Sequence, residues 1–131
     1  MQLIETNEDL AVALADSYDQ PILLLKTSNV CSLSLRIYNE LKGLEERQPA
    51  LSEHMFVLVV QDAPGVSEAI VSRFGIIHET PQAIVVVNED PVYYESHEEI
   101  SVEKIASLLK EKPSGNDSLD EGGSIDNDIL V

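Results

Sequence analysis

Residues 21–34 read PILLLKTSNVCSLS, and this stretch joins a short buried strand to a helix around a cysteine. The apolar run Ile22–Leu25 is brief and has polar flanks, which predicts a buried strand rather than a helix. After it, Leu33, Ile37, Leu41 and Leu44 recur at spacings of four, four and three, which is typical of the buried face of a helix. We therefore expect the thiol of Cys31 at the entrance to a helix that begins near Ser32.

The rest of the chain up to about residue 110 alternates in the same way between apolar runs and amphipathic segments. The expected elements are a helix over 6–17, a strand over 55–60, a helix over 64–75, strands over 82–87 and 92–96 joined by a turn at 88–91, and a last helix capped by Ser101. This order predicts an α/β fold with a mixed four-stranded sheet, helices on both faces and an extra N-terminal helix. Such an arrangement is similar to that of thioredoxin.

Length and composition predict one globular domain with an acidic tail. The chain has 131 residues, 44% of them hydrophobic, and a formal net charge of -16. Residues 1–112 are expected to form the domain. Residues 113–131 are rich in Gly, Ser and Asp, and we expect an acidic, disordered tail there. The negative charge argues against nucleic acid and anionic membranes as partners.

The chain has one cysteine, so it cannot form an intramolecular disulfide. No apolar run approaches the roughly 20 residues that span a bilayer. The N-terminus is acidic and lacks the basic start of a signal peptide. These features favour a reducing cytoplasm as the location.

Cys31 is the candidate catalytic residue. Unpaired N–H groups and the helix dipole at a helix N-terminus stabilise a thiolate, which is the reactive form of cysteine. Ser32 and Ser34 are expected to stabilise the thiolate and also to cap the helix. The Ser34 hydroxyl stands where a dithiol oxidoreductase has its second cysteine, and it can donate a hydrogen bond to the thiolate but cannot resolve a mixed disulfide. Lys26 is expected to add to the local positive field, and Arg36 is a further candidate for that role. The alternative is that Cys31 is a small buried hydrophobe.

The segment His78–Gln82, which reads HETPQ, precedes a predicted core strand. In a thioredoxin-like fold Thr80 and Pro81 would form a cis-proline loop that faces the cysteine, whereas the alternative is an ordinary trans proline at a strand start. His78 is a candidate for the site or else a surface histidine. Tyr93 and Tyr94 either line a groove beside Cys31 or pack in the sheet, with packing expected for at least one.

The sequence does not indicate a metal or a phosphate site. His54, His78 and His97 lie far apart and have no metal-ligand spacing with Cys31. A glycine-rich phosphate-binding loop is also absent from the sequence. We therefore expect no bound cofactor and no metal.

Over about residues 3–110 the chain resembles the monothiol bacilliredoxins, the thioredoxin-like proteins of the bacillithiol system. The family motif Thr-Cys-Pro-Ile-Ser is matched by Val30–Ser34, and His-Glu-Ser-Pro-Gln is matched by His78–Gln82. The family's Ser-His pair after the fourth strand is matched by Ser96 and His97. The chain departs from the family at Ser32, where the family has proline.

This resemblance implies a monothiol oxidoreductase that removes a low-molecular-weight thiol from protein mixed disulfides through Cys31. The co-substrate would be bacillithiol, or glutathione or coenzyme A in its place, and the partners would be thiolated cytoplasmic proteins. The alternative is a catalytically weak binding or adaptor protein of the same fold. Cluster binding between two monomers ranks last, because the Cys-Gly-Phe-Ser motif of monothiol glutaredoxins is missing.

Overall fold

A computed structural model describes residues 1–111, which form five strands, four α-helices and two short 3-10 turns. The predicted tail at 113–131 and the domain boundary at 112 lie outside the described residues. The strands are β1 (Gln2–Leu3), β2 (Ile22–Thr27), β3 (Met55–Val59), β4 (Gln82–Val87) and β5 (Asp90–Ser96), and the α-helices are α1 (Asn7–Asp16), α2 (Ser32–Arg47), α3 (Pro64–Phe74) and α4 (Val102–Leu109). The 3-10 turns are Pro49–His54 and His97–Glu99.

The sheet has five strands in the order β1-β3-β2-β4-β5, one more than the four predicted. β1, β3 and β2 run parallel, while β4 is antiparallel to both β2 and β5. The additional strand, β1, is two residues long and is extended by a bond from the Ile4 N–H to the Val57 carbonyl at 2.8 Å. A two-residue strand has no periodicity, so the sequence pattern could not reveal it.

Alternate side chains of the central strands build two separate cores. Leu24, Leu58 and Ile84 point to the face that α1 and α3 cover. Leu25 and Val85 point to the opposite face, which α2 and α4 cover. Because both faces are covered, β2 consists entirely of buried residues, as its continuous apolar run predicts.

Several of the residues predicted to begin or end a helix do so in the structure. Thr6 and Asp9 form a reciprocal capping box at the start of α1. Gly75 ends α3 in the left-handed conformation, with φ of 69°. Ser101 caps α4 by accepting a bond from the Lys104 N–H at 3.1 Å. No helix within residues 1–111 is long and apolar enough to cross a membrane.

Strand register determines which loops meet at one end of the sheet. The parallel strands β2 and β3 both end there, with Thr27 paired to Val59. On the other side Lys26 pairs with Gln82, so Pro81 precedes β4 at the level at which Thr27 ends β2. Cys31 follows Thr27 by four residues and starts α2. The β2–α2 loop and the proline loop therefore lie at the same end of the sheet.

Candidate active site

Cys31 is the N-cap residue of α2, as the sequence predicts. Its backbone is extended, with φ of -119° and ψ of 121°, and its side chain is half-buried. The helix begins immediately after it, at Ser32. The sulfur therefore lies at the positive end of a 16-residue helix and is still open to a reactant.

The first turn of α2 lowers the pKa of the Cys31 thiol below its ordinary value. The Ser34 backbone N–H is the main cause, followed by the Ser34 hydroxyl, and the Leu33 N–H adds a smaller contribution, while burial acts in the opposite direction. The Cys31 side chain makes no capping hydrogen bond in this structure. These donors are thus positioned near the sulfur for the thiolate, which attracts N–H and O–H groups more strongly than a thiol does.

Ser34 is buried and connects the helix to the loop before Cys31. Its Oγ accepts a bond from the Ser28 N–H at 3.2 Å, which leaves the hydroxyl proton free to point toward the sulfur. The loop is held from β3 as well, because Gln61 donates to the Ser28 Oγ at 2.7 Å and accepts from the Asn29 N–H at 3.1 Å. The thiol therefore sits on a loop that is fixed from two sides.

Cys31 lies on the wall of a groove of about 590 Å³ between α2 and the β1–β3 edge of the sheet. Ser32 and Ser34 line the same groove. The remaining lining residues are Leu3, Thr27, Ser28, Asn29, Val30, Leu35, Tyr38, Val57 and Val59.

Tyr38 and Gln61 belong to this region but were not predicted from the sequence. Tyr38 follows Cys31 by seven residues, which is two helical turns, so helical periodicity could have placed it beside the thiol. Gln61 follows the end of β3, which is parallel to its neighbour β2. Because parallel neighbours end at the same end of the sheet, the sequence could have placed Gln61 near the loop that follows β2.

The Thr80–Pro81 peptide bond is cis, in agreement with the prediction. Pro81 is buried, Thr80 is half-buried, and the Pro81 carbonyl accepts a bond from the His97 N–H at 2.9 Å. His97 has a left-handed backbone, with φ of 59°. Strand register places Pro81 at the same end of the sheet as Cys31, but Thr80 and Pro81 are outside the groove lining.

Lys26 does not join the surroundings of Cys31. It pairs with Leu58 across β2 and β3, so its side chain enters the layer between the sheet and α1 and α3, on the face opposite to α2. Lys26 is 0% exposed, and its Nζ has no hydrogen-bond partner within the described residues. Burial lowers the pKa of Lys26 to about 8. The expectation that Lys26 adds to the field at the thiol is not met, because strand alternation turns its side chain away.

Arg36 and His78 also lie away from the groove. Arg36 is an exposed residue of α2 whose Nε lies 3.8 Å from Glu40. His78 is largely exposed, with its Nδ1 3.4 Å from the Ser67 Oγ on α3. The pKa of His78 is lowered, first by the partial burial of its ring and then by the charge of Lys26. His78 is therefore nearer to the Lys26 side of the sheet than to the groove.

One of the two tyrosines of β5 packs in the core and the other is exposed, which agrees with the expectation that at least one of them packs. Tyr93 packs against the α2–α4 core, and its hydroxyl accepts a bond from the Ser101 N–H at 3.0 Å. Tyr94 is exposed and lines a different groove together with Gln82 and His97. Neither tyrosine lines the groove beside Cys31.

Within residues 1–111, His, Cys, Asp and Glu side chains form no group of three or more that could hold a metal ion. The groups that surround the Cys31 sulfur are hydroxyl and N–H donors from the first turn of α2, which favour a thiolate.

Comparison with solved structures shows that the fold is that of thioredoxin. A solved structure described as a candidate oxidoreductase with a thioredoxin fold is 25% identical, with a TM-score of 0.70, and the match covers 82% of this chain and 91% of that one. Thioredoxin from Fasciola hepatica is 14% identical, with a TM-score of 0.70 and coverage of 84% and 100%. Thioredoxin f2 from Chlamydomonas reinhardtii is 13% identical, with a TM-score of 0.64 and coverage of 83% and 93%.

The model of a protein family, monothiol bacilliredoxin BrxC, matches residues 2–105. This match includes Cys31, the Thr80–Pro81 loop and the Ser96-His97 pair. Together with the thioredoxin-like structures it supports a redox function. The chain belongs to the monothiol bacilliredoxin family.

Proposed function

We propose that this protein is a monothiol thiol–disulfide oxidoreductase that removes a low-molecular-weight thiol of the bacillithiol type from mixed disulfides on cytoplasmic proteins. The observation that carries the proposal is the position of Cys31. It is a half-buried N-cap thiol whose pKa is lowered, first by the Ser34 N–H and then by the Ser34 hydroxyl. The small thiol is a co-substrate rather than a bound cofactor.

The proposed reaction is a disulfide exchange. The Cys31 thiolate attacks the sulfur of the small thiol in the mixed disulfide, and a new S–S bond forms between them. The bond from that sulfur to the protein's cysteine breaks, and its electron pair leaves with the protein's cysteine as a thiolate. The protein is thereby reduced, and Cys31 carries the small thiol.

Regeneration requires a second thiol from outside the chain. Ser34 occupies the position from which a second cysteine would attack, and a hydroxyl cannot form that disulfide. A second molecule of the small thiol attacks the small-thiol sulfur on Cys31. This step releases the Cys31 thiolate and a symmetric disulfide of the small thiol.

Alkylation of Cys31 tests the thiolate. We expect the rate of reaction with iodoacetamide to rise with a midpoint below pH 8.5, the ordinary value for cysteine. Cys31→Ser is the control and should take up no label. A midpoint at or above that of a free cysteine would contradict the proposal and favour the adaptor alternative.

A deprotection assay tests the reaction itself. A substrate protein carrying bacillithiol, glutathione or coenzyme A on one cysteine is incubated with the protein and the matching free thiol. We expect release of the small thiol from at least one substrate, and no release above background with Cys31→Ser. If a reactive Cys31 deprotects none of the three, the thiol has another role.

A further inference from the structure

Within residues 1–111, the ionisable side chains that line the groove beside Cys31 are the thiol itself and the Tyr38 phenol. As far as residues 1–111 line it, the groove contains no Lys, Arg, His, Asp or Glu. Its floor includes Val57 and Val59 of β3. A carboxylate or phosphate would therefore meet no cationic side chain of residues 1–111 in the lining.

Three hydroxyl groups of the groove, those of Thr27, Ser28 and Ser34, make hydrogen bonds within the protein. The Thr27 hydroxyl donates to the Leu58 carbonyl at 3.1 Å. The Ser28 Oγ accepts bonds from Gln61 and from the Val30 N–H. Because Ser34 also accepts the Ser28 N–H, these three side chains are held in place and part of their hydrogen-bonding capacity is used within the protein.

The rim of the groove exposes large apolar side chains to solvent. Val30 is 84% exposed, Leu35 is 60% exposed and Leu3 is 54% exposed, and all three line the groove. They stand next to the thiol in sequence or across the groove from it. Apolar side chains grouped in this way around a reactive residue are typical of a surface that a partner covers.

These features do not suit a charged small thiol. Bacillithiol and glutathione carry carboxylates, and coenzyme A carries phosphates, groups that proteins often hold with Arg or Lys, and neither residue lines the groove within residues 1–111. The chain as a whole has a net charge of -16, which also repels them. The reactant that the groove suits is uncharged and apolar.

Resting on the function proposed above, we propose that this groove binds the protein half of the mixed disulfide, by taking up apolar side chains next to the cysteine that is being released. In the exchange the three sulfurs lie in line, so the departing cysteine is about 4 Å from the Cys31 sulfur, two S–S bond lengths. Because Val30 and Leu35 line the groove together with Cys31, residues beside that cysteine come within reach of this rim. The groove would select targets by local sequence.

Two peptide substrates test this selection. Each has one cysteine joined by a disulfide to 2-mercaptoethanol, which is small and uncharged, and the residues on either side of the cysteine are leucine in one peptide and serine in the other. Each rate with the protein is divided by the rate of the same peptide with dithiothreitol. We expect the leucine peptide to react roughly tenfold faster, a factor that corresponds to about 1.4 kcal/mol.

Surface variants connect the preference to the groove. The double variant Val30→Ser, Leu35→Ser changes two exposed side chains and should bring the ratio of the two rates below about threefold. The matched control is Val12→Ser on α1, which is 69% exposed and outside the groove lining. This control should keep the tenfold ratio.

Equal normalised rates for the two peptides would overturn the inference while leaving the proposed function in place, provided that Cys31 reacts with both. A preference that persists in the double variant would also overturn it. Bis(2-hydroxyethyl) disulfide separates the two proposals. If Cys31 reacts with neither peptide nor with this disulfide, the proposed function fails, and the inference fails with it. A dimer in sedimentation that Leu35→Ser abolishes would show that a second copy occupies the groove, against the inference.

Discussion

At the end of the sheet where Cys31 lies, the two faces differ in whether their buried polar groups have hydrogen-bond partners. On the α2 side the buried Ser34 hydroxyl accepts the Ser28 N–H and contributes to the lowered pKa of Cys31. On the α1–α3 side the fully buried Lys26 ammonium and the Gln82 Oε1 have no hydrogen-bond partner within the described residues. These two groups are direct cross-strand neighbours.

This difference shows that burial has opposite consequences for groups only a few residues apart. The buried Ser34 hydroxyl accepts one bond, which fixes the loop, and keeps its proton for the Cys31 thiolate. A buried ammonium without a partner keeps its desolvation penalty, which is why the pKa of Lys26 falls to about 8. The α2 side is organised for chemistry, whereas the α1–α3 side carries a cost in stability.

The largest expected effect comes from removing the unpartnered charge. Lys26→Met should raise the free energy of unfolding by about 3 kcal/mol at pH 7, because methionine fills a similar volume and needs no hydrogen bond. Since the pKa of Lys26 is about 8 when folded and 10.5 otherwise, the penalty is complete below pH 8. The advantage of the variant should shrink as the pH rises from 8 to 10.5. Urea unfolding across this range measures it.

The exposed Lys104→Met on α4 is the matched control for that experiment. It should change the free energy of unfolding by less than about 0.5 kcal/mol and show no difference in slope between pH 8 and 10.5. If Lys26→Met destabilises the protein instead, the ammonium has a favourable partner, and the contrast between the two sides of the sheet does not hold.

The next effect concerns a charge on the α2 side that is paired. Burial raises the pKa of Glu45, but bonds from the Met1 ammonium, Ser52 and Lys42 outweigh it and lower that pKa to about 2. Glu45→Gln should therefore cost about 2 kcal/mol at pH 7. Because the folded pKa is depressed, this stability is complete above about pH 4.5 and is lost as the pH falls toward 2.

Urea unfolding at pH 7 and pH 3, on chains with a free Met1 amine, measures this effect. The exposed Glu46→Gln is the neighbouring control and should match the parent at both pH values. A loss for Glu45→Gln that is the same at pH 3 as at pH 7 would mean that packing rather than charge is responsible.

Ser34→Ala removes the hydroxyl that accepts the Ser28 N–H. It leaves the partly buried Ser28 N–H without its acceptor and should cost about 1 kcal/mol of stability. It should also raise the pKa of Cys31 and slow alkylation at neutral pH several-fold, while the rate at pH 10 stays unchanged. Ser32→Ala, at an exposed position, serves as the control. Unchanged alkylation in Ser34→Ala would remove this hydroxyl from the site.

The smallest effect is expected from restoring the family's proline. Ser32 is the first residue of α2, where proline is favoured, and Cys31 before it has the extended backbone that residues preceding proline prefer. Ser32→Pro should therefore raise the free energy of unfolding by about 0.5 to 1 kcal/mol. Thermal unfolding measures this change, and a destabilised variant would show that the first turn of α2 differs from that of its relatives.

Most of the fold could be predicted because long apolar runs and helical spacing state it directly. β2 and α2 follow from the pattern around Cys31, and the β4–β5 hairpin follows from its turn, where Asn88 and Glu89 take positive φ. β1 was not predicted, because pairing with β3 and not a local pattern defines it as a strand. Contacts between distant segments leave no trace in local periodicity.

The site could be predicted in part, for a similar reason. Cys31 and Ser34 are local to one helix start, so their proximity follows from the chain itself. Lys26 was placed beside the thiol on sequence distance, whereas the two-residue alternation of β2 turns it to the other face. Tyr38 comes near Cys31 from the second turn of α2, and Gln61 comes near it from the loop after β3. Only the folded sheet brings these two elements together.

Because the chain has a single half-buried thiol, the mass of the intact chain shows which disulfide adduct Cys31 carries. With one cysteine in 131 residues, every disulfide adduct adds its mass at one known position. Intact-mass spectrometry of protein isolated under acid quench would therefore read the identity of the small thiol as a single mass difference. The host's own thiol pool could be named in that way before any target protein is known.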